Sequence, residues 1–344
     1  MTGFVNGDRG EAPPSHRATS RRAGYGRHML AVTVDAGTPT PAPRPDPEPG
    51  MGQLLVSVRA AGLNAADVLQ LAGHYPAPPD APPDILGLEL AGEVVAVGPG
   101  VTRFATGDRV MAVVSGGAQA ELALVHERTA MPLPEGIRWE EAGGFPEAFT
   151  TAHDALFTQA GLALGERLVV HGAAGGVGLA GVQLGVSSGA SVLATVRRDE
   201  HVPRVAALGA EVCSPDDWVE RGPFDVVLEL VGAPNLADDL ETLATGGRIV
   251  VIGVGAGARA EIDLRQLMGK RGRLMASTLR ARPLEGKAAA ARAVEAHVLP
   301  LLRRGTVKVP VHAAYPLAEA QSAYEDFRAG GKLGKIVLTA GAGS

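Results

Sequence analysis

The sequence predicts an α/β protein in which a small antiparallel β-barrel is joined to a doubly wound parallel sheet. Three observations predict it. Residues 29–129 read as short apolar strands of period-two alternation, punctuated by Gly and Pro. Between 166 and 278, six apolar strands alternate with helical stretches, the pattern of a parallel sheet covered on both faces. The first of those six runs through a glycine-rich turn directly into a helix.

In chain order, strands are expected at 54–58, 93–97, 109–114 and 121–125, separated by turn clusters at 41–49 and 98–100. One helix is expected over 140–158. The parallel strands are expected at Leu168-Val169-Val170, 192–196, Glu211-Val212-Cys213, 225–230, 248–252 and 273–277. The helix over 178–188 contains Gly181, Gly185, Ser187 and Ser188, so its weak propensity must be offset by burial. A helix over 287–303 follows, and the final strand, Lys335-Ile336-Val337-Leu338, is expected to rejoin the first domain.

Composition narrows the function class. Of 344 residues, 46 are Gly and 25 Pro, which marks a turn-dense fold, and 46% hydrophobic content supplies ample core. A net charge of −5, from 32 basic and 37 acidic residues, argues against a nucleic-acid or membrane partner. No apolar run reaches the ~20 residues of a bilayer span, so a soluble protein is expected. Cys213 is the single cysteine, which excludes an intrachain disulfide and fits a reducing cytoplasm. Residues 1–28 are rich in Arg and poor in aliphatics, and read as a loose extension, or a basic tail for a partner, before a fold that opens at Met29.

The strongest local signal is the run from Leu168 to Gly178, with Gly172, Ala173, Ala174, Gly175, Gly176, Val177 and Gly178 forming the strand-to-helix turn. Gly175 lets backbone approach a pyrophosphate, Gly178 lets the helix pack on the strand, and the helix N-terminus attracts anions. A dinucleotide site follows, although Ala173 replaces the first glycine of the usual pattern. Cofactor choice is read after the second strand, where Thr195 and Val196 lead into Arg197 and Arg198. Two guanidiniums suit a 2′-phosphate, and favour NADPH over NADH. Asp199 and Glu200 could instead pair them in a solvated loop.

The segment 59–70 with Asn64 and Asp67, Gly73-His74-Tyr75-Pro76, Ile85-Leu86-Gly87-Leu88-Glu89, Gly107-Asp108-Arg109-Val110, the 172–178 turn and Gly334-Lys335-Ile336-Val337 together resemble the quinone oxidoreductase (zeta-crystallin-like) branch of the medium-chain dehydrogenase/reductase superfamily. The resemblance implies a GroES-like catalytic domain from residues 29–152 and 284–344, a Rossmann NADPH-binding domain over 153–283, and a cleft between them. It also implies a homodimer built on the edge strand near 273–277, and an exposed edge strand does favour pairing. In zinc-dependent relatives a Cys near position 64, a His near 88 and a third ligand near 147 hold the metal. Here Asn64, Leu88 and Glu147 stand there. The nine His form no HxH or HxxxH pair, so no zinc is expected.

Without a Lewis acid, the expected hydride acceptor is a conjugated quinone or enone, whose enolate one or two hydrogen-bond donors can stabilise. By resemblance, Asn64, Tyr75 and Asp67 are the catalytic candidates. Asn64 with Asp67 also reads as a helix N-cap and its first turn, and Tyr75 as a brace for the 76–83 loop. The resemblance extends cofactor contacts to Thr151, Thr195, Gly232, Gly253, Leu279 and Lys335, treats Glu89 as structural, and places His201 where relatives often carry a phosphate-binding Lys.

Overall fold

The computed structural model describes Met1 and residues 28–341; the expected N-terminal extension therefore falls almost wholly outside the described residues. The chain opens with an antiparallel ribbon of β1 (His28–Asp35) and β2 (Thr38–Pro45). The proline-rich stretch expected to be a turn cluster is thus largely a strand. Pro39, Pro41, Pro43 and Pro45 lie two apart, so their missing N–H groups fall along one side, which an edge strand can leave unpaired.

Then come β3 (Gln53–Gly62), α1 (Ala65–Leu71), β4 (Glu89–Val97), β5 (Arg109–Val113), β6 (Leu122–His126) and β7 (Ala130–Pro132). The single helix expected over 140–158 is instead α2 (Trp139–Gly143), α3 (Pro146–His153) and a π-helical turn (Asp154–Gln159). The break has a steric cause: a Cβ on Gly143 would meet Ala60 Cβ at 2.6 Å, so this turn lies hard against β3, and Pro146, lacking an N–H, then starts a new helix.

The middle of the chain contributes β8 (Arg167–Val170), α4 (Gly176–Ser187), β9 (Ser191–Thr195), α5 (Val202–Ala206), β10 (Glu211–Cys213), β11 (Phe224–Glu229), α6 (Leu236–Thr242), β12 (Leu243–Val251), α7 (Leu264–Lys270) and β13 (Arg273–Ala276). The six strands form one parallel sheet in the order β10-β9-β8-β11-β12-β13, doubly wound from β8. Leu168 and Val170 face one core cluster and Val169 the other, so alternation along β8 fills both faces. The glycines of α4 have a packing reason: a Cβ on Gly181 would meet Leu228 Cδ2 at 2.6 Å and one on Gly185 would meet Leu168 Cδ2 at 2.7 Å.

The expected helix over 287–303 divides at Pro300 into α8 (Leu284–His297) and α9 (Leu299–Arg303). The chain ends with β14 (Val311–Pro316), α10 (Ala320–Ala329) and β15 (Lys335–Thr339). β15 pairs antiparallel with β3, matching Val337 to Gly62, and so returns the C-terminal strand to the seven-stranded, mainly antiparallel sheet. The first cluster runs from Met111 and Phe145 through Leu168 to Val298, so the two sheets share buried contacts. Gly334 bridges Gly175, with its N–H donating to Ala174 O at 2.9 Å. That bridge lays the start of β15 against the glycine-rich turn.

Candidate active site

The turn after β8 is built for close approach. Gly172 takes φ +66°, the left-handed region in which Cβ is penalised. A Cβ on Gly178 would meet Gly172 O at 2.5 Å and Ala173 Cα at 2.6 Å, whereas one on Gly175 meets nothing nearer than 3.6 Å. The space above Gly175 is therefore open toward a ligand, and the first turn of α4 presents N–H groups with no partner inside the helix. These features fit a dinucleotide pyrophosphate. Ala174, Gly175, Gly176 and Val177 are partly exposed there.

Thr195 is placed differently from the expected contact. Its side chain is buried, with Oγ1 3.3 Å from both His171 Nδ1 and Gly172 N, so it supports the turn from behind. Behind it the structure assembles a His-carboxylate trio that sequence spacing hides: among the described residues, ligand atoms of His171, Glu229 and Asp239 lie within 4.8 Å of one another. Burial lowers His171 to about 4 and raises Asp239 to about 8. His171 Nε2 lies 3.0 Å from Asp239 Oδ1, and Glu229 accepts from Gly232 N at 2.7 Å. The trio thereby fixes the loop that carries Gly232. Gly232, at φ +116°, and Gly253 sit on loops packed so closely that a Cβ on either would strike neighbouring backbone.

Arg197 and Arg198 are both exposed beyond β9. Arg198 reaches Glu200 Oε1 at 3.3 Å and lies against Gly331, while Arg197 makes no hydrogen bond or ion pair among the described residues. His201, in contrast, is buried and bonded to Gly331 O at 3.0 Å, with Glu200 Oε1 at 3.9 Å.

Between β15, β4 and the start of α1 lies a buried polar network. Lys335 Nζ lies 2.6 Å from Glu89 Oε1, 2.7 Å from Asn64 Oδ1 and 2.8 Å from Leu63 O. Three acceptors satisfy its three donors. Lys335, expected as a cofactor contact, ties β15, β4 and the start of α1 together in the structure. Its stem also fills the space beside Gly176, where a Cβ would meet Lys335 Cδ at 2.6 Å. Asn64 donates to Glu89 Oε1 at 3.0 Å, so both ends of its amide are engaged.

Asp67, the third catalytic candidate, takes the helix-start place that its spacing from Asn64 also suggested. It is fully buried, accepting from Asn64 N at 2.8 Å and Gly87 N at 3.2 Å, with the Gln119 amide at 3.5 Å and the Tyr324 hydroxyl 2.9 Å beyond that. Burial pushes Asp67 up to about 7. It holds α1 to the 87–89 turn and does not face the cleft. Glu89 has the structural place expected for it, accepting also from Glu147 N at 2.8 Å.

Tyr75 is half-buried, and its placement depends on a residue that sequence reasoning missed. Arg280 stacks 5.1 Å from the Tyr75 ring and donates to Tyr75 O at 3.0 Å, Ser115 O at 2.7 Å and Gln70 Oε1 at 2.7 Å. Burial and then the charge of Glu147 raise the phenol above its ordinary value. Thr151 Oγ1 lies 3.5 Å from Glu147 Oε1, and Leu279 is buried next to Arg280. No periodicity marks Arg280 as buried; its sequence signal is its position beside Leu279.

The positions of the zinc-dependent relatives' ligands hold Asn64, an amide already engaged, Leu88, a buried aliphatic, and Glu147, a lone carboxyl. That donor set does not fit a catalytic zinc, which needs three well-placed ligands.

Comparison with known proteins agrees with this architecture. Residues 50–156 match the alcohol dehydrogenase GroES-like domain and residues 198–338 the zinc-binding dehydrogenase family. The quinone oxidoreductase of Rattus norvegicus is 34% identical over 299 residues, covering 83% of this chain and 88% of that protein. A polyketide synthase of Streptomyces halstedii is 36% identical over 308 residues, 84% of this chain but only 5% of that far longer protein. Among solved structures, an alcohol dehydrogenase superfamily protein from Novosphingobium aromaticivorans superposes with a TM-score of 0.81 at 28% identity, covering 91% of this chain and all of that one. With a GroES-like lobe, a doubly wound dinucleotide sheet and this degree of identity, the chain belongs to the quinone oxidoreductase branch of the medium-chain dehydrogenase/reductase superfamily, a family of nicotinamide-dependent oxidoreductases.

Proposed function

We propose that this protein is a zinc-independent, NADPH-dependent reductase that transfers hydride to a quinone. The observation that carries the reading is the cleft base, where an engaged Asn64 and a buried Leu88 occupy positions that zinc chemistry would need. Lacking a Lewis acid, the site is suited to an acceptor that delocalises the incoming charge over a conjugated system. Reduced nicotinamide supplies the hydride when bound. Gly175, Gly176 and Val177 would hold the pyrophosphate and the unpaired Arg197 the 2′-phosphate, with Thr151, Gly232, Gly253 and Leu279 bordering the ring. Tyr75, braced by Arg280, would stack on a planar acceptor.

A second reading is reduction of an activated double bond, favoured by the 36% identity to the polyketide synthase of Streptomyces halstedii. Turnover of a quinone and an enone, compared side by side with NADPH and NADH, tests both. Faster NADPH-dependent turnover of the quinone supports the first reading, the reverse supports the second, and NADPH binding without oxidation points to a non-catalytic nucleotide-binding protein.

We also propose a cytoplasmic homodimer. Among the described residues no helix is long and apolar enough to cross a membrane. The edge strand β13 borders α7, where Leu264 and Met268 are 66% and 76% exposed, and pairing would cover them. Elution at the mass of one subunit would contradict the dimer.

A further inference from the structure

Beside Tyr75 and Arg280 stands an ionisable side chain to which the reading above gives no task. Glu147 stands in the first turn of α3, directly after Pro146, with its backbone N–H anchored on Glu89 Oε2 at 2.8 Å. The backbone is thereby tied to the same buried carboxylate that binds Lys335 and Asn64. The side chain itself is half-buried, and its hydrogen-bond partner among the described residues is Thr151 Oγ1 at 3.5 Å. Residues four apart on a helix share a face, so the Glu147 carboxyl lies on the same face of α3 as Thr151. It is also near enough to Tyr75 and Arg280 for its charge to act on both.

We infer that Glu147 is the proton donor of the reduction, delivering a proton to the acceptor as hydride arrives. This rests on the reading that a conjugated acceptor is reduced in this cleft. Hydride adds with its electron pair to the electrophilic carbon, the nicotinamide is oxidised, and the acceptor's carbonyl oxygen takes the negative charge. The Glu147 O–H bond then breaks and its proton joins that oxygen, or the α-carbon of an enone. The carboxylate left behind regains a proton from water at its exposed side.

The other groups around Glu147 are poorer donors. Lys335 has its ammonium committed to three acceptors, Asp67 is sealed beneath the surface, and Tyr75 holds its proton more tightly than usual. Glu147 is charged with difficulty: burial, then the carboxylates Glu89 and Asp67, raise it to about 8 against the pull of Lys335 and the Thr151 hydroxyl. An acid poised near the working pH is an effective donor.

The test compares wild type with Glu147→Gln and Glu147→Asp in quinone turnover, NADPH binding and infrared difference spectra. Glu147→Gln should lower kcat about 100-fold or more, the scale of a lost general acid, leave the NADPH Kd unchanged and remove the alkaline limb of the pH profile. Glu147→Asp should retain that limb with intermediate kcat. In the nucleotide-free protein at neutral pH, the difference between the wild-type and Glu147→Gln spectra should show one protonated-carboxyl stretch, while the stretch of Asp239 is common to both and cancels. Glu147→Gln turnover within about threefold of wild type with the same pH profile, or no such band at neutral pH, would overturn the assignment. Wild-type protein that oxidises NADPH with neither quinone nor enone would instead remove the functional reading, and the donor role with it.

Discussion

Lys335, the first residue of the last strand, places its Nζ 2.6 Å from Glu89 Oε1 while both side chains are almost wholly shielded from water. Removing one member of a buried pair leaves the other charged and uncompensated. Lys335→Met should therefore destabilise the protein by about 3–5 kcal/mol, read as a lower urea midpoint. Adding Glu89→Gln should recover much of the loss, because the stranded charge is then gone. A single variant as stable as wild type would show that the pair is not a tie.

The two glycines of the turn should separate folding from binding. Gly178→Ala drives a Cβ into Gly172 O and Ala173 Cα and should lower both stability and NADPH affinity. Gly175→Ala has room within the chain and φ −77°, which any residue adopts. Its melting temperature should hardly move while NADPH affinity falls more than tenfold, about 1.4 kcal/mol. Fluorescence titration beside thermal melts checks both.

Arg197→Glu combined with Arg198→Glu should cut NADPH affinity about 10- to 100-fold, the scale of lost charge-assisted hydrogen bonds. NADH, lacking the 2′-phosphate, should be affected far less. An unchanged NADPH/NADH ratio would move the specificity determinant elsewhere.

Asp239 should leave a pH signature on stability. Burial raises its proton affinity in the folded state, from 3.8 to about 8, so the native protein binds this proton more tightly than the unfolded chain does. Its contribution to stability is complete below 3.8 and is lost as pH climbs to about 8. His171 acts oppositely between about 4 and 6.5, because burial keeps it neutral. Asp239→Asn should remove the alkaline decline, gaining on wild type by up to about 1.4 kcal/mol per pH unit. Urea unfolding at several pH values measures the difference, and parallel curves for the two proteins would refute the coupling.

Much of the fold was legible because period and punctuation are local. Leu168-Val169-Val170 and the five apolar runs after it became one parallel sheet, and Gly178 has the packing contact its place in the turn implies. Local reading failed where a neighbour distant in sequence decided. Proline spacing at 39–45 reads as a loop until β1 supplies an edge to lie on, and nothing near residue 143 announces Ala60 beneath it. Histidines that form no short-range pair along the chain include His153 and His297, whose ring nitrogens meet at 3.0 Å.

The sequence by itself determined the class of the protein: a strand-turn-helix with glycines at the required steps, an Arg pair after the second strand, and Asn64 and Leu88 where zinc-dependent relatives carry a Cys and a His. Those properties depend on residue type and short spacing, which the chain carries in one dimension. Only the tertiary structure decided which polar groups face the cleft and which hold it together. Lys335 and Asp67 are drawn inward because a buried charge must find partners, and Arg280 is brought to Tyr75 from 205 residues away. Burial of that kind is a property of the assembled surface, so Glu147 could be distinguished from any other glutamate only once α3 had placed it beside Glu89.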